Sequence, residues 1–346
     1  MGTLSFVGLG LGPDGVSLEG VKVLKDADVA YVEYYTTPHE PRLLEVVQKA
    51  AGRQLVVVDR DFVEDGGKIL AEATSGKVAL AVLGDPMIAT THGELRVRAI
   101  RSGIRTAVVH GATIASAAAS ESGLHSYKFS RTVTVTREEV GRLAQAYRIL
   151  HENLLDGSHT LLLLEHDVKS GEGVTPSEAL HGLLLAEANF KRNVIGERTY
   201  VVVLSRLGRS DQKLHAGEIA SLRDVEFGEP PHSIVIPGKL HFTEADSISA
   251  LFSVGPGSVH GNTETVKRTA QTLVPRYIEK TKKALESVRA TLEPKYGPVL
   301  ENVELYLRDA EAHLTNGDDE LAMLSVGYAE GLLDSLNFAG LAKIDW

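Results

Sequence analysis

Residues 79–92 read Ala-Leu-Ala-Val-Leu-Gly-Asp-Pro-Met-Ile-Ala-Thr-Thr-His, and the first part of the chain is organised around them. The apolar run from Val78 to Leu83 has the length of a strand and no polar face, which is typical of a strand covered on both sides in a parallel sheet. Pro86 ends the strand, and Asp85 places a carboxylate at its carboxyl end, where open α/β sheets bind ligands. The same Gly-Asp-Pro turn is also common loop chemistry, in which Asp85 only caps the next turn.

Strands and helices alternate on both sides of this stretch. The predicted strands are Leu4–Gly8, Val29–Glu33, Gln54–Val58, Val78–Leu83 and Ala107–His110. The predicted helices are Ser17–Lys25 with Ser17 as its N-cap, Arg42–Ala51, Lys68–Ala73, Glu94–Ser102 and Ala115–Ser120. This alternation predicts a doubly wound, mostly parallel sheet.

The glycines after the first strand, Gly8 and Gly10, invite a comparison with the dinucleotide-binding fingerprint, in which a helix starts at once beneath a pyrophosphate. Here the third glycine falls at position 12, and Pro13-Asp-Gly15 places a loop where that helix has to begin. We therefore expect a glycine-rich loop that accommodates a different, flat or bulky ligand.

A second α/β region follows Arg131. Its predicted strands are Thr132–Thr136, Thr160–Leu164, Thr199–Leu204 and His232–Pro237, with helices Val140–Leu155 and Pro176–Asn189 between them. The polar residues at the ends of these strands are candidates to face the same cleft: Glu165, Arg206, Arg209 and His232.

The composition changes after residue 253. A glycine-rich linker covers residues 254–262, and periodicity predicts three helices, Thr263–Leu292 with a kink at Pro275, Val299–Leu314 and Asp318–Phe338. Three helices of this length predict an antiparallel α-helical bundle over residues 263–346. The predicted domains are therefore 1–112, 113–253 and 263–346. The helical part has three open roles: partner binding, dimer support or stability.

Composition excludes several classes of protein. The chain has 346 residues with 43% hydrophobic and 24% charged residues, as in ordinary soluble proteins. It has no cysteine and a net charge of −10, so it has no thiolate metal site and is a poor match for a protein that grips nucleic-acid phosphates. No apolar run is long enough to cross a membrane, and the start, Met1-Gly-Thr-Leu, lacks the basic residues of a signal peptide. We expect a cytoplasmic protein without membrane or nucleic-acid partners.

Five motifs, in order, carry a resemblance to a known family. They are Phe6-Val-Gly-Leu-Gly-Leu-Gly12, Glu33-Tyr-Tyr-Thr36, Gly84-Asp-Pro with Ala-Thr-Thr-His92, Gly123-Leu-His-Ser-Tyr-Lys-Phe129, and Pro230-Pro-His232 with Pro237-Gly-Lys-Leu-His241. Over residues 3–253 the chain resembles the diphthine synthases of the archaeal type, a branch of the tetrapyrrole methylase superfamily. The helical tail lies outside this pattern and resembles a small archaeal helical domain of uncharacterised function.

The resemblance implies a two-domain tetrapyrrole-methylase-like α/β fold with the cofactor in the cleft between the domains. It implies an S-adenosylmethionine-dependent methyltransferase, with S-adenosylhomocysteine as product. Its substrate would be translation elongation factor 2, in which the amine of a 3-amino-3-carboxypropyl-histidine is trimethylated to diphthine during diphthamide biosynthesis. A homodimer is expected by the same analogy. Two other functions stay open: a tetrapyrrole-type methyltransferase acting on a small molecule, and a cofactor-binding scaffold without turnover.

The family's cofactor-binding positions fall on eight residues of this sequence: Leu11, Asp85, Ile88, Thr113, Ile114, Leu164, Leu207 and His232. Thr113 keeps the hydroxyl of the serine that is frequent in relatives. Leu207 replaces a smaller residue, which makes the adenine side of the pocket narrower.

Methyl transfer from a sulfonium needs alignment and exclusion of water, and needs neither a metal nor a covalent nucleophile. No residue is required as a general base, so the catalytic residues stay unknown. Tyr34, Tyr35 or Tyr127 are candidates to face the methylated ammonium through cation–π contacts. The 13 histidines show no metal-ligand spacing. Lys128, Arg131, Arg206 and Arg209 form either a basic docking patch or solvated loops.

Overall fold

The structure is a computed structural model that describes residues 2–35, 37, 41–141, 143–168 and 170–344. The chain divides into two compact units, Met1–Glu264 and Thr265–Trp346, called here the N-terminal and C-terminal units. Thr36, the last residue of the Glu-Tyr-Tyr-Thr motif, lies outside the described residues.

The N-terminal unit begins with a five-stranded parallel sheet, as the alternating pattern predicts. Its strands are β1 (Thr3–Gly8), β2 (Val29–Glu33), β3 (Val56–Val58), β4 (Lys77–Val82) and β5 (Arg105–Val109). The spatial order is β3-β2-β4-β1-β5, and each neighbouring pair runs parallel. The strand that opens the sequence motif, β4, therefore lies at the centre of the sheet beside β1.

Helices cover both faces of this sheet. They are α1 (Leu18–Asp26), α2 (Pro41–Ala51), α3 (Arg60–Asp65), α4 (Gly67–Ala73) and α5 (His92–Arg101). Alternate residues of β4 enter two different cores: Ala79 and Ala81 pack with α1 and α2, whereas Leu80 and Val82 pack with α3, α4 and α5. The absence of a polar face on β4 follows from this two-sided burial. Ser17 caps α1 as predicted, because its Oγ accepts a hydrogen bond of 3.0 Å from the amide of Gly20.

The second sheet of the N-terminal unit is mixed. Its elements are α6 (Ile114–Ser122), β6 (Val133–Val135), α7 (Ala144–Leu155), β7 (Thr160–Leu164), α8 (Pro176–Phe190), β8 (Tyr200–Ser205), β9 (Lys213–Glu218), α9 (Ile219–Leu222), β10 (His232–Ile236) and α10 (Phe242–Phe252). The strand order is β6-β7-β10-β8-β9, in which only the β6 and β7 pair runs parallel. The region predicted as a linker packs on this sheet: Asn262 forms hydrogen bonds of 2.9 and 2.8 Å with the backbone of Tyr200.

The C-terminal unit is helical, as predicted, and the structure confirms a break between the first two predicted helices. Helix α11 (Thr269–Asn316) consists of two helical segments that meet at a kink, and α12 (Asp319–Phe338) packs against it. The kink predicted at Pro275 lies instead at Tyr296, whose backbone leaves helical angles at φ −123° and ψ 18°. Pro294 and Pro298 flank that residue and remove two amide donors from successive turns, which a single proline near the helix start does not do.

Candidate functional site

A cavity of about 570 Å³ in the N-terminal unit is lined by loops that follow strands of the first sheet and by strands and loops of the second. Its volume is in the range of small-molecule sites in proteins, roughly 300–1,000 Å³. The first sheet contributes residues that follow the carboxyl ends of its strands, which is the ligand-binding edge of an open α/β sheet.

The cavity brings together every residue that the sequence predicts for the cofactor. Five of them follow strands of the first sheet and three belong to the second region; in chain order they are Leu11, Asp85, Ile88, Thr113, Ile114, Leu164, Leu207 and His232. These residues span more than 200 positions of the sequence, and the fold brings all of them to the lining of the same cavity. Their role as cofactor ligands stays a prediction.

The glycine motifs let the central strand ends approach each other closely. Gly84 donates a hydrogen bond of 2.8 Å to the carbonyl of Gly10, and Gly10 donates one of 3.2 Å in return. Both residues have positive φ, 72° at Gly10 and 76° at Gly84, which glycine adopts without strain. The loops after β1 and β4 are therefore joined here by backbone hydrogen bonds, without any side chain between them.

Asp85 is held rigidly beside those glycines. Its side chain is buried, Oδ1 accepts a hydrogen bond of 2.9 Å from the amide of Met87, and Oδ2 accepts one of 2.7 Å from Nδ1 of His110. The amide of Gly111 also donates to Oδ2 over 3.3 Å. Asp85 therefore caps the turn at Met87, as the interpretation of Gly-Asp-Pro as a common loop turn predicts. Its carboxylate, fixed by these hydrogen bonds, also lines the cavity.

His232 supplies a neutral imidazole from β10. Nε2 lies 3.0 Å from the carbonyl of Gly228, and because a carbonyl only accepts, this nitrogen carries the proton. Burial lowers the pKa of His232 below its ordinary value, so the ring is uncharged near neutral pH. Glu165 and Arg209, both expected at the cleft from their strand ends, line the same cavity.

Of the four cations considered as a docking patch, three form ion pairs within the chain and the fourth lines the cavity. Lys128 forms an ion pair with Glu244, Arg131 pairs with Glu152 over 2.6 Å and Arg206 pairs with Asp211 over 2.8 Å. Arg209 is buried and lines the cavity. The four do not form a basic surface patch.

Two of the sequence motifs meet at a buried carboxylate outside the cavity. Glu244, completely buried, accepts hydrogen bonds from the amide of His125 over 2.8 Å, from Nε2 of His159 over 2.9 Å and from the amide of His241 over 2.8 Å, besides its pair with Lys128. Although burial itself raises the pKa of Glu244, these donors lower it to about 2. The two motifs therefore meet at Glu244 through the backbone amides of His125 and His241 and the side chain of Lys128.

Of the three tyrosines considered for cation–π contacts, only Tyr35 lines the cavity. Tyr127 is 80% exposed and stacks on His125, away from the lining residues. The sequence analysis missed Thr37, Arg60, Asp61, Ala89, Thr134 and His166, which also line the cavity. Five of these residues follow β2, β3, β4 or β7, and Thr134 lies within β6; the signal for the five is their position after a strand, since ligands bind at the carboxyl ends of strands.

Within the described residues, no helix is both long and apolar enough to cross a membrane. Nor does the described part of the chain hold a cluster of three or more histidine, aspartate or glutamate side chains arranged for a metal ion.

Comparisons with known proteins match one family within the N-terminal unit and another within the C-terminal unit. Residues 3–223 match the profile of the family described as tetrapyrrole (corrin/porphyrin) methylases. Residues 276–342 match a family described only as a protein of unknown function, DUF357.

The similar proteins of known class agree with one another. A curated diphthine synthase of Methanothermobacter thermautotrophicus is 36% identical over 245 residues, which cover 70% of this chain and 93% of that protein. Another, of Methanocaldococcus jannaschii, is 36% identical over 253 residues, which cover 72% of this chain and 98% of that one. A crystal structure of diphthine synthase superposes with a TM-score of 0.66 at 29% identity, covering 76% of this chain and 100% of the other.

Proposed function

Because the chain belongs to the tetrapyrrole methylases, and within them to the diphthine synthases, it is a methyltransferase of diphthamide biosynthesis, and we propose that translation elongation factor 2 is its substrate. The methyl donor is S-adenosylmethionine. The acceptor is the amine of a 3-amino-3-carboxypropyl group on one histidine of the factor, which receives three methyl groups in turn.

One observation carries the assignment of the site: all eight residues that the family resemblance assigns to the cofactor line a single cavity of about 570 Å³. A methyltransferase needs such a cavity because the reacting groups have to be aligned and shielded from water.

The residues present suit S-adenosylmethionine. Apolar side chains, Leu11, Ile114 and Leu207, offer surfaces for the flat adenine. The anchored carboxylate of Asp85 suits polar hydrogens or positive charge on the donor. When bound, the cofactor supplies an electrophilic methyl group on a cationic sulfur, and the sulfur becomes neutral after transfer.

The chain's own groups would then align the acceptor amine and accept the protons that it loses between transfers. An attacking amine must be neutral, and each transfer produces an ammonium that has to lose a proton before the next. The neutral imidazole of His232 has its protonated nitrogen engaged with Gly228, which leaves Nδ1 as the acceptor nitrogen of a ring on the cavity wall. Bulk water also accepts this proton from an amine of ordinary pKa, so the reaction needs no dedicated base.

We further propose a cytoplasmic homodimer, on the family analogy alone. A sedimentation-equilibrium mass of two chains supports this state, and a mass of one chain rejects it. The boundary between residues 112 and 113 likewise stays a proposal.

The proposal is tested by mass spectrometry of elongation factor 2 that carries the unmethylated modification. After incubation with this protein and S-adenosylmethionine, we expect three methyl groups on that histidine. Asp85→Asn is the matched inactive variant. It keeps the shape of the side chain but replaces one of the two carboxylate oxygens, which accept from the amide of Met87 and from His110, with an amide nitrogen that cannot accept. It should lose most methylation. An unchanged mass with protein that binds S-adenosylhomocysteine would reject the substrate and favour the small-molecule or scaffold alternatives.

A further inference from the structure

The cavity extends beyond the residues that the resemblance assigns to the cofactor. In the first sheet those five residues follow β1, β4 and β5, and none follows β2 or β3. Yet Tyr35 and Thr37 after β2, and Arg60 and Asp61 after β3, line the same cavity. Neighbouring strands are about 4.8 Å apart, so the ends of β2 and β3 lie roughly 10 and 15 Å from the end of β1 in the sheet. The cavity therefore has a second part on the β2–β3 side.

Tyr35 has a fixed orientation in this second part. Its hydroxyl lies 3.2 Å from Nε2 of His92, and Nδ1 of His92 lies 3.2 Å from the carbonyl of Pro86. Since the carbonyl only accepts, Nδ1 carries the proton and Nε2 accepts from Tyr35. His92 is 1% exposed, and burial lowers its pKa, so the ring stays neutral and this chain of hydrogen bonds persists.

Arg60 lies over the ring of Tyr35, with its guanidinium carbon 5.3 Å from the ring centre. It is exposed to the cavity, and in the described part of the chain its guanidinium forms no ion pair. A guanidinium held over an aromatic ring is a geometry that binds carboxylates, often through two parallel hydrogen bonds. Asp61 on the same rim supplies the opposite charge, so the subsite suits a head group with both a carboxylate and an amine.

We propose that Tyr35, Arg60 and Asp61 form the acceptor subsite, in which Arg60 binds the carboxylate of the 3-amino-3-carboxypropyl group. This inference rests on the proposed function. Binding the carboxylate fixes the position of the amine next to it, and an acceptor without the carboxylate loses that alignment. Arg60 is a substrate-positioning residue under this proposal, since it contacts the acceptor but not the transferred methyl group.

The amino-acid head of the cofactor carries the same two groups, so the test has to distinguish cofactor from acceptor. Two constants are measured for each variant: the KM for elongation factor 2 carrying the unmethylated modification, at saturating S-adenosylmethionine, and the Kd for S-adenosylhomocysteine by calorimetry. We expect Arg60→Gln to raise this KM about 10- to 100-fold, as for loss of a charge-assisted hydrogen bond, and to leave the Kd within about twofold. Arg60→Lys should recover part of the loss, because it keeps the charge without the planar fork.

Arg105→Gln is the matched control, because Arg105 is an exposed arginine at the amino end of β5, on the opposite edge of the same sheet. It should change neither constant. A weaker Kd with an unchanged KM in Arg60→Gln would assign the guanidinium to the cofactor and overturn the proposal. Two unchanged constants would overturn it as well.

A second measurement separates this proposal from the substrate assignment. L-2-aminobutyrate reproduces the head group of the acceptor, whereas 1-aminopropane lacks its carboxylate. With protein saturated with S-adenosylhomocysteine, saturation-transfer NMR should detect L-2-aminobutyrate on the wild type and on Arg105→Gln, but not on Arg60→Gln, and should show little 1-aminopropane on any of them. Wild-type protein that passes this test and leaves elongation factor 2 unmethylated would reject the proposed substrate but support the subsite. Equal binding of both amines would overturn the subsite.

Discussion

Leu11 packs directly on Gly208, so closely that a Cβ added to Gly208 would lie 2.7 Å from the Cβ of Leu11. Leu11 belongs to the loop after β1 and Gly208 to the loop after β8, so this contact joins loops of the two sheets, and the neighbouring Leu207 lines the cavity. Gly208 also has φ of +79°, which side-chain-bearing residues rarely adopt. Both the backbone angle and the space therefore require glycine at this position.

Gly208→Ala should weaken cofactor binding. The added methyl group forces the β8 loop away from Leu11, which displaces Leu207 on the cavity wall, and we expect the Kd for S-adenosylhomocysteine to rise on the order of tenfold. Gly52→Ala is the matched control: φ is +67° there, but a Cβ meets no atom within 4 Å. It should cost about 1–2 kcal/mol of stability through backbone strain and leave the Kd unchanged. Equal effects on the Kd would show that the contact with Leu11 has no bearing on the site.

The buried carboxylate of Glu244 should make stability fall in acid. Its donors hold the pKa at about 2 in the folded protein, below the ordinary value of 4.5 in the unfolded chain. A lowered folded pKa means that the contribution is fully present above pH 4.5 and is lost as the pH falls from 4.5 toward 2. The size of this contribution is about 3 kcal/mol. Urea unfolding between pH 7 and pH 3 measures the part of this loss that occurs above pH 3, about 2 kcal/mol.

Glu244→Gln provides the check on that assignment. At pH 7 it should destabilise the chain by about 3 kcal/mol, because it leaves the charge of Lys128 uncompensated. The difference from wild type should shrink below pH 4.5, where the carboxyl of the unfolded wild-type chain gains a proton and the advantage of the folded carboxylate decreases. Glu152→Gln removes an exposed ion pair with Arg131 and should cost less than about 1 kcal/mol. A difference that is constant across this pH range would exclude Glu244 as the titrating group.

The hydroxyl of Tyr35 should stabilise the fold as well as orient the ring. Burial, followed by the charge of Glu33, raises the pKa of Tyr35 to about 12, so the hydroxyl stays a donor to His92 at all physiological pH values. Tyr35→Phe leaves Nε2 of the buried His92 without this donor and should cost about 1–2 kcal/mol in urea unfolding. Tyr127→Phe, which removes an exposed hydroxyl, is the control and should cost less than about 0.5 kcal/mol. Equal costs would contradict the hydrogen-bond direction assigned here.

The local chemistry of single residues could be predicted from the sequence. Ser17 marks the start of α1, and the apolar run at Val78–Leu83 indicates a strand covered on both sides; both predictions are confirmed. These features depend on a few neighbouring residues, so a short stretch contains the information. Strand β9, at the edge of the second sheet, was missed because Lys213–Glu218 is polar and half-exposed and therefore lacks an apolar pattern.

The acceptor side of the cavity could not be predicted in this way. Arg60 begins α3, a helix of six residues that is too short to show a periodic pattern. Its place beside Tyr35 depends on β2 and β3 being neighbours, while β1, their predecessor in the chain, lies on the far side of β4. Strand order is set by packing between distant segments, so it cannot be predicted from a short stretch of sequence.

The C-terminal unit should fold when it is produced alone. All members of its apolar core, from Ala270 to Ile344, lie within the unit. Ion pairs of 3.2 Å connect α12 with α11, between Glu330 and Lys280, and with the N-cap residue of α11, between Asp319 and Arg268. We therefore expect a fragment of residues 265–346 to be helical by circular dichroism and to unfold cooperatively. Val303→Asp, which places a charge in this core, should abolish the cooperative transition. A fragment of residues 1–264 contains every residue that lines the cavity and should keep the Kd for S-adenosylhomocysteine within about twofold. An unfolded 265–346 fragment would mean that this core is insufficient without the N-terminal unit.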